Sequence, residues 1–198
     1  MVELSKYFWD RSGENVPRDV VPEFTEWMFY KTHRVTTGKM AVSEMNEAPD
    51  GITVQIENGI YEFYIRGVAY ENDKRISRVR FVKKGSSPVL GEKIGETYSD
   101  LAQNSFYEPD LLLNFFNEDD EKYQDWIEDI MFSYEGVFYV TTHEEKKDIK
   151  FYRFEAGFGD GEFDVYKLKE DEHTVGFEIE FIKDDEPYIF WEDVVQEE

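Results

Sequence analysis

"FEAGFGDGEFDVYKL", residues 154–168, sets Gly157, Gly159 and Gly161 within five residues, between two runs that alternate apolar and polar side chains as β-strands do. Its reading decides the fold. A dinucleotide fingerprint needs G-x-G-x-x-G opening a helix, whereas this spacing is wrong and runs on into a strand. A phosphate loop needs Gly-Lys followed by Ser or Thr, which the stretch lacks. Asp160, Glu162 and Asp164 do alternate, as calcium ligands can, but on a strand rather than in a helix-loop-helix frame. The simpler reading is a structural turn: Gly157, Gly159 and Gly161 allow positive φ angles, and Asp160 caps freed backbone N–H groups.

Strands flank this bend. After Gly136 the runs "VFYVTTH", "IKFYRFEAG", "GEFDVYKLK", "TVGFEIEFIK" and "EPYIFWEDV" are β-rich, and Phe177, Ile179 and Phe181 alternate with Glu178 and Glu180, predicting one core face and one solvated carboxylate ladder. Upstream, Thr37 to Lys84 reads as an antiparallel meander with turn chemistry at Asn58-Gly59 and at 71–73. Two segments carry a helical period instead. Val20, Val21, Phe24, Trp27 and Met28 predict a helix over about 21–31. Leu111, Leu112, Phe115 and Phe116, then Tyr123, Trp126, Ile127, Ile130 and Met131, predict an acidic helical insertion over about 97–134.

The expected fold class is therefore α+β and mainly antiparallel: packed or strongly curved sheets, an N-terminal helix and the helical insertion, in one domain over 1–198. "AGFGDGEFDVY" followed by "VGFEIEF" resembles the C-terminal signature of the bacterial family called domain of unknown function 4241. "TTGKMAVSE" is similar to that family's early Ser-Gly-Lys strand, although Ser43 and Glu44 stand where the family usually has Asp-Pro. "IENGIYEFYIRGVAYENDKRISRVRFV" is similar to its meander with an Arg-rich strand. The resemblance implies a compact, mostly β fold and a bacterial source, and it transfers no catalytic residue.

Composition narrows the function classes. There is no cysteine, so disulfides, thiolate metal sites and sulfur nucleophiles are excluded. The start "MVELSKYFWD" has neither the basic nor the apolar region of a signal peptide, which makes the cytosol the expected compartment. Net charge is −23, and its placement is uneven. Residues 1–100 hold 16 acids and 14 bases, whereas residues 101–198 hold 29 acids and 8 bases. Such a field repels nucleic acid and anionic membrane and attracts basic proteins.

No catalytic constellation stands out. His33, His143 and His173 lie in separate segments without metal-ligand spacing, and no Gly-x-Ser-x-Gly is present. No catalytic residue, metal or cofactor is assigned. Arg66, Lys74, Arg75, Arg78, Arg80, Lys83 and Lys84 cluster, and the reading is that they pair with the chain's own acids. The expected function is an acidic protein-binding module, most concretely an immunity protein neutralising a basic nuclease-type toxin. Its expected contacts are Glu118, Asp119, Asp120, Tyr123, Asp125, Glu128 and Asp129, with Asp184, Asp185 and Glu186 near the C-terminus. The alternatives are a carboxylate- or metal-dependent hydrolase built on Asp160, Glu162 and Asp164, and a structural domain with no specific partner.

Overall fold

The structure is a computed structural model that describes residues 21–44, 47, 51–71, 73–116, 122, 125, 126, 129, 140–145 and 149–185. In chain order the elements are β1 (Glu23–Phe24), β2 (Met28–Val35), β3 (Lys39–Ser43), β4 (Ile52–Gln55), β5 (Gly59–Tyr70), β6 (Asp73–Lys83), β7 (Val89–Ser99) and β8 (Gln103–Tyr107). A short helix, α1 (Pro109–Phe116), follows, and then β9 (Val140–Glu145), β10 (Ile149–Glu155), β11 (Gly161–Glu170) and β12 (His173–Glu180).

The strands form two antiparallel sheets. The larger runs β1-β5-β6-β12-β11-β7, with β2 also on β5, and the smaller runs β4-β3-β8-β10-β9. The expected meander is thus split: β3 and β4 pair in the smaller sheet, β5 and β6 in the larger. The chain changes sheet after β2, β4, β7 and β10. Aromatic side chains weld the two layers. Phe106 of β8 lies 4.7 Å from Phe63, 5.2 Å from Phe81 and 5.6 Å from Phe177, all on the larger sheet, and 4.6 Å from Tyr152 on its own. All five are buried, so aromatic rings build the core between the sheets.

The fold class differs from the α+β expectation. The N-terminal helix is absent: its residues include β1 and the first half of β2, and the two strands together make one edge along β5. The apolar spacing that suggested it comes from two short strands: Phe24 on β1 and Met28 on β2, four positions apart across the break at 25–27, both pack on the core. A register shift then follows between Phe29 and Lys31. Across it the inward side chains change from Met28 and Tyr30 to His33 and Val35.

Among the described residues the helical insertion does not hold as a whole either. Residues 97–99 end β7 and 103–107 form β8, so the stretch opens with strands, and α1 is the one helix assigned as an element among the described residues. Here Pro109 occupies the first turn, Leu112 N–H donates to the Glu108 carbonyl at 3.2 Å, and buried Leu112 and Phe116 turn inward. Of the acidic stretch beyond it, Lys122, Asp125, Trp126 and Asp129 are described. The Trp126 ring lies 5.3 Å from Phe116 and 5.4 Å from Phe151. His143 sits on β9 opposite Phe151.

Two of the crossings are tied together. Gly157, Gly159 and Gly161, with φ of 53°, 131° and 151°, lie in the bend that carries the chain from β10 to β11. A Cβ on Gly157 would stand 3.0 Å from the Phe181 Cβ, so a side chain there would press on Phe181 as well as strain φ. From this bend Asp160 Oδ1 accepts the Ala102 N–H at 3.1 Å, and Ala156 N–H donates to the Ala102 carbonyl at 3.1 Å. The other side of the Asp100–Ala102 turn is held by Glu44, whose Oε1 accepts the Leu101 N–H at 2.6 Å and the Asp100 N–H.

Candidate functional site

The outward face of the larger sheet is a charge-sorted plane. One cross-strand row reads Arg66, Arg78, Glu180, Asp164, Glu96 from β5 through β6, β12 and β11 to β7. The next reads Tyr64, Arg80, Glu178, Tyr166, Lys93. In the first row bases sit at the β5–β6 side and acids at the β11–β7 side, and in the second Lys93 is a base at the β7 end. Like charges directly opposite each other destabilise a sheet unless something bridges them. Asp184 bridges Arg66, at 2.9 Å, and Arg78, at 3.1 Å. Lys93 bridges Asp164, at 2.6 Å, and Glu96.

Glu178 anchors the middle. Its carboxylate accepts from Arg80 at 2.6 and 2.8 Å and from Arg78 at 3.2 Å, and it is 1% exposed. Trp27 lies under the Arg80 guanidinium at 4.3 Å, a cation–π contact that helps to seal the cluster. The expectation of a solvated ladder at Glu178 is therefore corrected. The arginines of this face are consumed by the chain's own acids.

At the acidic side the surface opens. A groove of about 260 Å³ is lined by Phe158, Phe163 and Phe181, by Asp160, Glu162, Asp164 and Glu180, and by Lys183. Burial pushes the Glu180 carboxyl above its ordinary value, against the opposing pull of Arg78. Burial also pushes Asp164 up, but the hydrogen bonds from Lys93 and Tyr166 outweigh it and hold the carboxyl below its usual range. Tyr166 pays the reciprocal shift: its hydroxyl, donating to Asp164 at 2.8 Å, is raised to about 12. Around the rim, Tyr98 donates to Asp100 at 2.7 Å, and no ion pair involves Glu162 among the described residues.

Asp160, Glu162 and Asp164, the residues of the alternative hydrolase reading, do line one groove, yet Asp160 is bound to a backbone amide and Asp164 to Lys93 and Tyr166. Among the described residues no three acids or histidines gather in metal-ligating geometry. Of the expected partner contacts, Asp125 and Asp129 are exposed, Asp184 and Asp185 are exposed, and Asp184 is already engaged by Arg66 and Arg78. Glu118, Asp119, Asp120, Tyr123, Glu128 and Glu186 lie outside the described residues.

Away from this face is a constellation that the residue spacing did not reveal. Tyr152 Oη stands 2.9 Å from His33 Nδ1, and His33 Nε2 stands 3.0 Å from Glu108 Oε1. The second Glu108 oxygen accepts the Thr36 and Thr37 N–H groups, both at 2.8 Å, and the Thr37 hydroxyl at 2.8 Å. Burial raises the Glu108 carboxyl, but His33 and the threonines outweigh it, so the pKa falls below its ordinary value. Such a chain of groups can pass a proton in an enzyme. Here all three are 4% exposed or less, so the chain braces β2, β10 and the start of α1. Pro109 is a residue that opens helices, but nothing local links Glu108 to residues 33 and 152.

No helix among the described residues is long and apolar enough to cross a membrane. Neither a family model, nor a curated protein, nor a solved structure matches this chain.

Proposed function

We propose that the chain is an acidic protein-binding module for a basic protein, with a nuclease-type toxin as the most concrete partner. The observation that carries this reading is the sorting of charge on the larger sheet. Arg66, Arg78 and Arg80 are engaged by Glu178, Glu180 and Asp184, while Asp100, Asp160, Glu162 and Glu96, the last paired with Lys93, gather at the far side. Exposed Asp125 and Asp129 add to the negative field. A toxin that binds nucleic acid presents bases for phosphate, and carboxylates placed against them give fast, salt-sensitive association. The hydrolase reading has weaker support, because Asp160 and Asp164 already hold structural partners.

The test is inhibition of a panel of strongly basic nucleases by the purified protein, followed by titration at low and high sodium chloride. The reading expects stoichiometric inhibition of at least one nuclease, with a Kd that rises about tenfold or more with salt. Glu96→Gln with Glu162→Gln should weaken it further. No inhibition, or an affinity indifferent to both salt and substitution, rejects the reading.

A further inference from the structure

Resting on that reading, we infer that the basic partner docks by adding an extended segment to the free edge of β7. Among the described residues β7 is paired on one side only, with β11. It is 11 residues long, against 8 for β2, 6 for β9 and 4 for β4, the other edge strands of comparable standing. An unpaired row of N–H and C=O groups of that length is a template for another strand. Natural edges are guarded by charges and bulges, and β7 has both, in Lys93 and in the register shifts against Tyr166. Lys93, however, is held by Asp164 and Glu96, and the first residues, Val89 and Leu90, are 65% and 49% exposed.

The two ends of the strand differ in chemistry. Val89 and Leu90 make one end apolar; Glu96, Tyr98 and Asp100, beside Asp160 and Glu162, make the other acidic. The complementary occupant is an extended segment with apolar side chains at one end and arginine or lysine at the other. A second copy of this chain fits poorly. Antiparallel pairing would set Val89 and Leu90 against the partner strand's acidic end, parallel pairing would set acid on acid, and each copy carries a net charge of −23.

The probe is a capped octapeptide alternating threonine with two valines and then two arginines, its control the same peptide with glutamate for arginine. The expected result is binding of the arginine peptide at least tenfold tighter than the control, with slowed amide hydrogen exchange over residues 89–99. Val89→Ser with Leu90→Ser, both at exposed positions, should weaken it about tenfold and leave the melting temperature unchanged. Protection elsewhere, or equal binding of the two peptides, overturns the inference. Sedimentation showing a dimer that this double variant dissolves overturns it as well, because the occupant is then a second copy. A basic nuclease that is inhibited equally by the native chain and by the double variant rejects the edge while leaving the proposed function standing. Failure of every basic nuclease rejects that function, and the inference falls with it.

Discussion

Glu108 shows how much one side chain can hold. Its carboxylate gathers His33, Thr36 and Thr37 and so joins the β2–β3 crossing to the start of α1. With a folded pKa lowered from 4.5, it contributes stability that is present above the unfolded value and is lost as pH falls through the folded one. Glu108→Gln should cost about 2 kcal/mol at neutral pH, and should flatten the loss of stability below pH 4.5. Urea unfolding across that acid range measures both. Glu44 carries the opposite sign. Burial raises its pKa, so its contribution is full below the unfolded value and diminishes as pH rises through the folded value. Gly176 is a third decisive position, because a Cβ there would stand 1.9 Å from the Phe81 carbonyl oxygen at φ 156°. Gly176→Ala should destabilise by about 3 kcal/mol, read as a lower urea midpoint with an unchanged slope.

Among the elements, β12 is the one whose partners explain its sequence. It lies between β6 and β11, with Phe177 and Ile179 in the core and Glu178 and Glu180 outward. "FEIEF" therefore announces a strand, and its alternation alone reads as a half-wet one. The ladder to β6 brings Arg80 opposite Glu178 and Arg78 opposite Glu180, which turns the wet face into a partly buried ion cluster around Glu178. Removing both arginines strands the Glu178 charge; Arg78→Ala with Arg80→Ala should cost about 3–5 kcal/mol. Adding Glu178→Leu to that pair should recover a large part, since an apolar side chain needs no counter-charge. Equilibrium unfolding of the double and triple variants checks this, and equal stability of the two would show that the cost lies in lost packing of the arginine stems. The β2 edge teaches the converse. Its shift at Tyr30 is invisible in the residues, because a bulge is a response to the neighbouring strand's twist.

At the scale of the whole molecule two opposed electrostatic terms meet. The ion pairs across the larger sheet stabilise the fold, and a net charge of −23 repels itself. The repulsion is long-ranged and exposed, so salt screens it more than it screens the partly buried pairs. The melting temperature should therefore rise as sodium chloride is added to a low-salt solution, and a fall would mean that the pairs dominate. The residues by themselves determined the alternating strands, the glycine bend between β10 and β11, the absence of sulfur chemistry and the uneven charge, because each follows from local composition or from a period of two. They also indicated that Arg78 and Arg80 would meet acids, but not which ones. The sheet that each strand joins, the bulge in β2, the burial of Glu178 and the meeting of His33, Glu108 and Tyr152 were decided only by the tertiary structure. The reason is physical: pairing partners and burial depend on contacts between residues up to 119 positions apart, which no local pattern encodes.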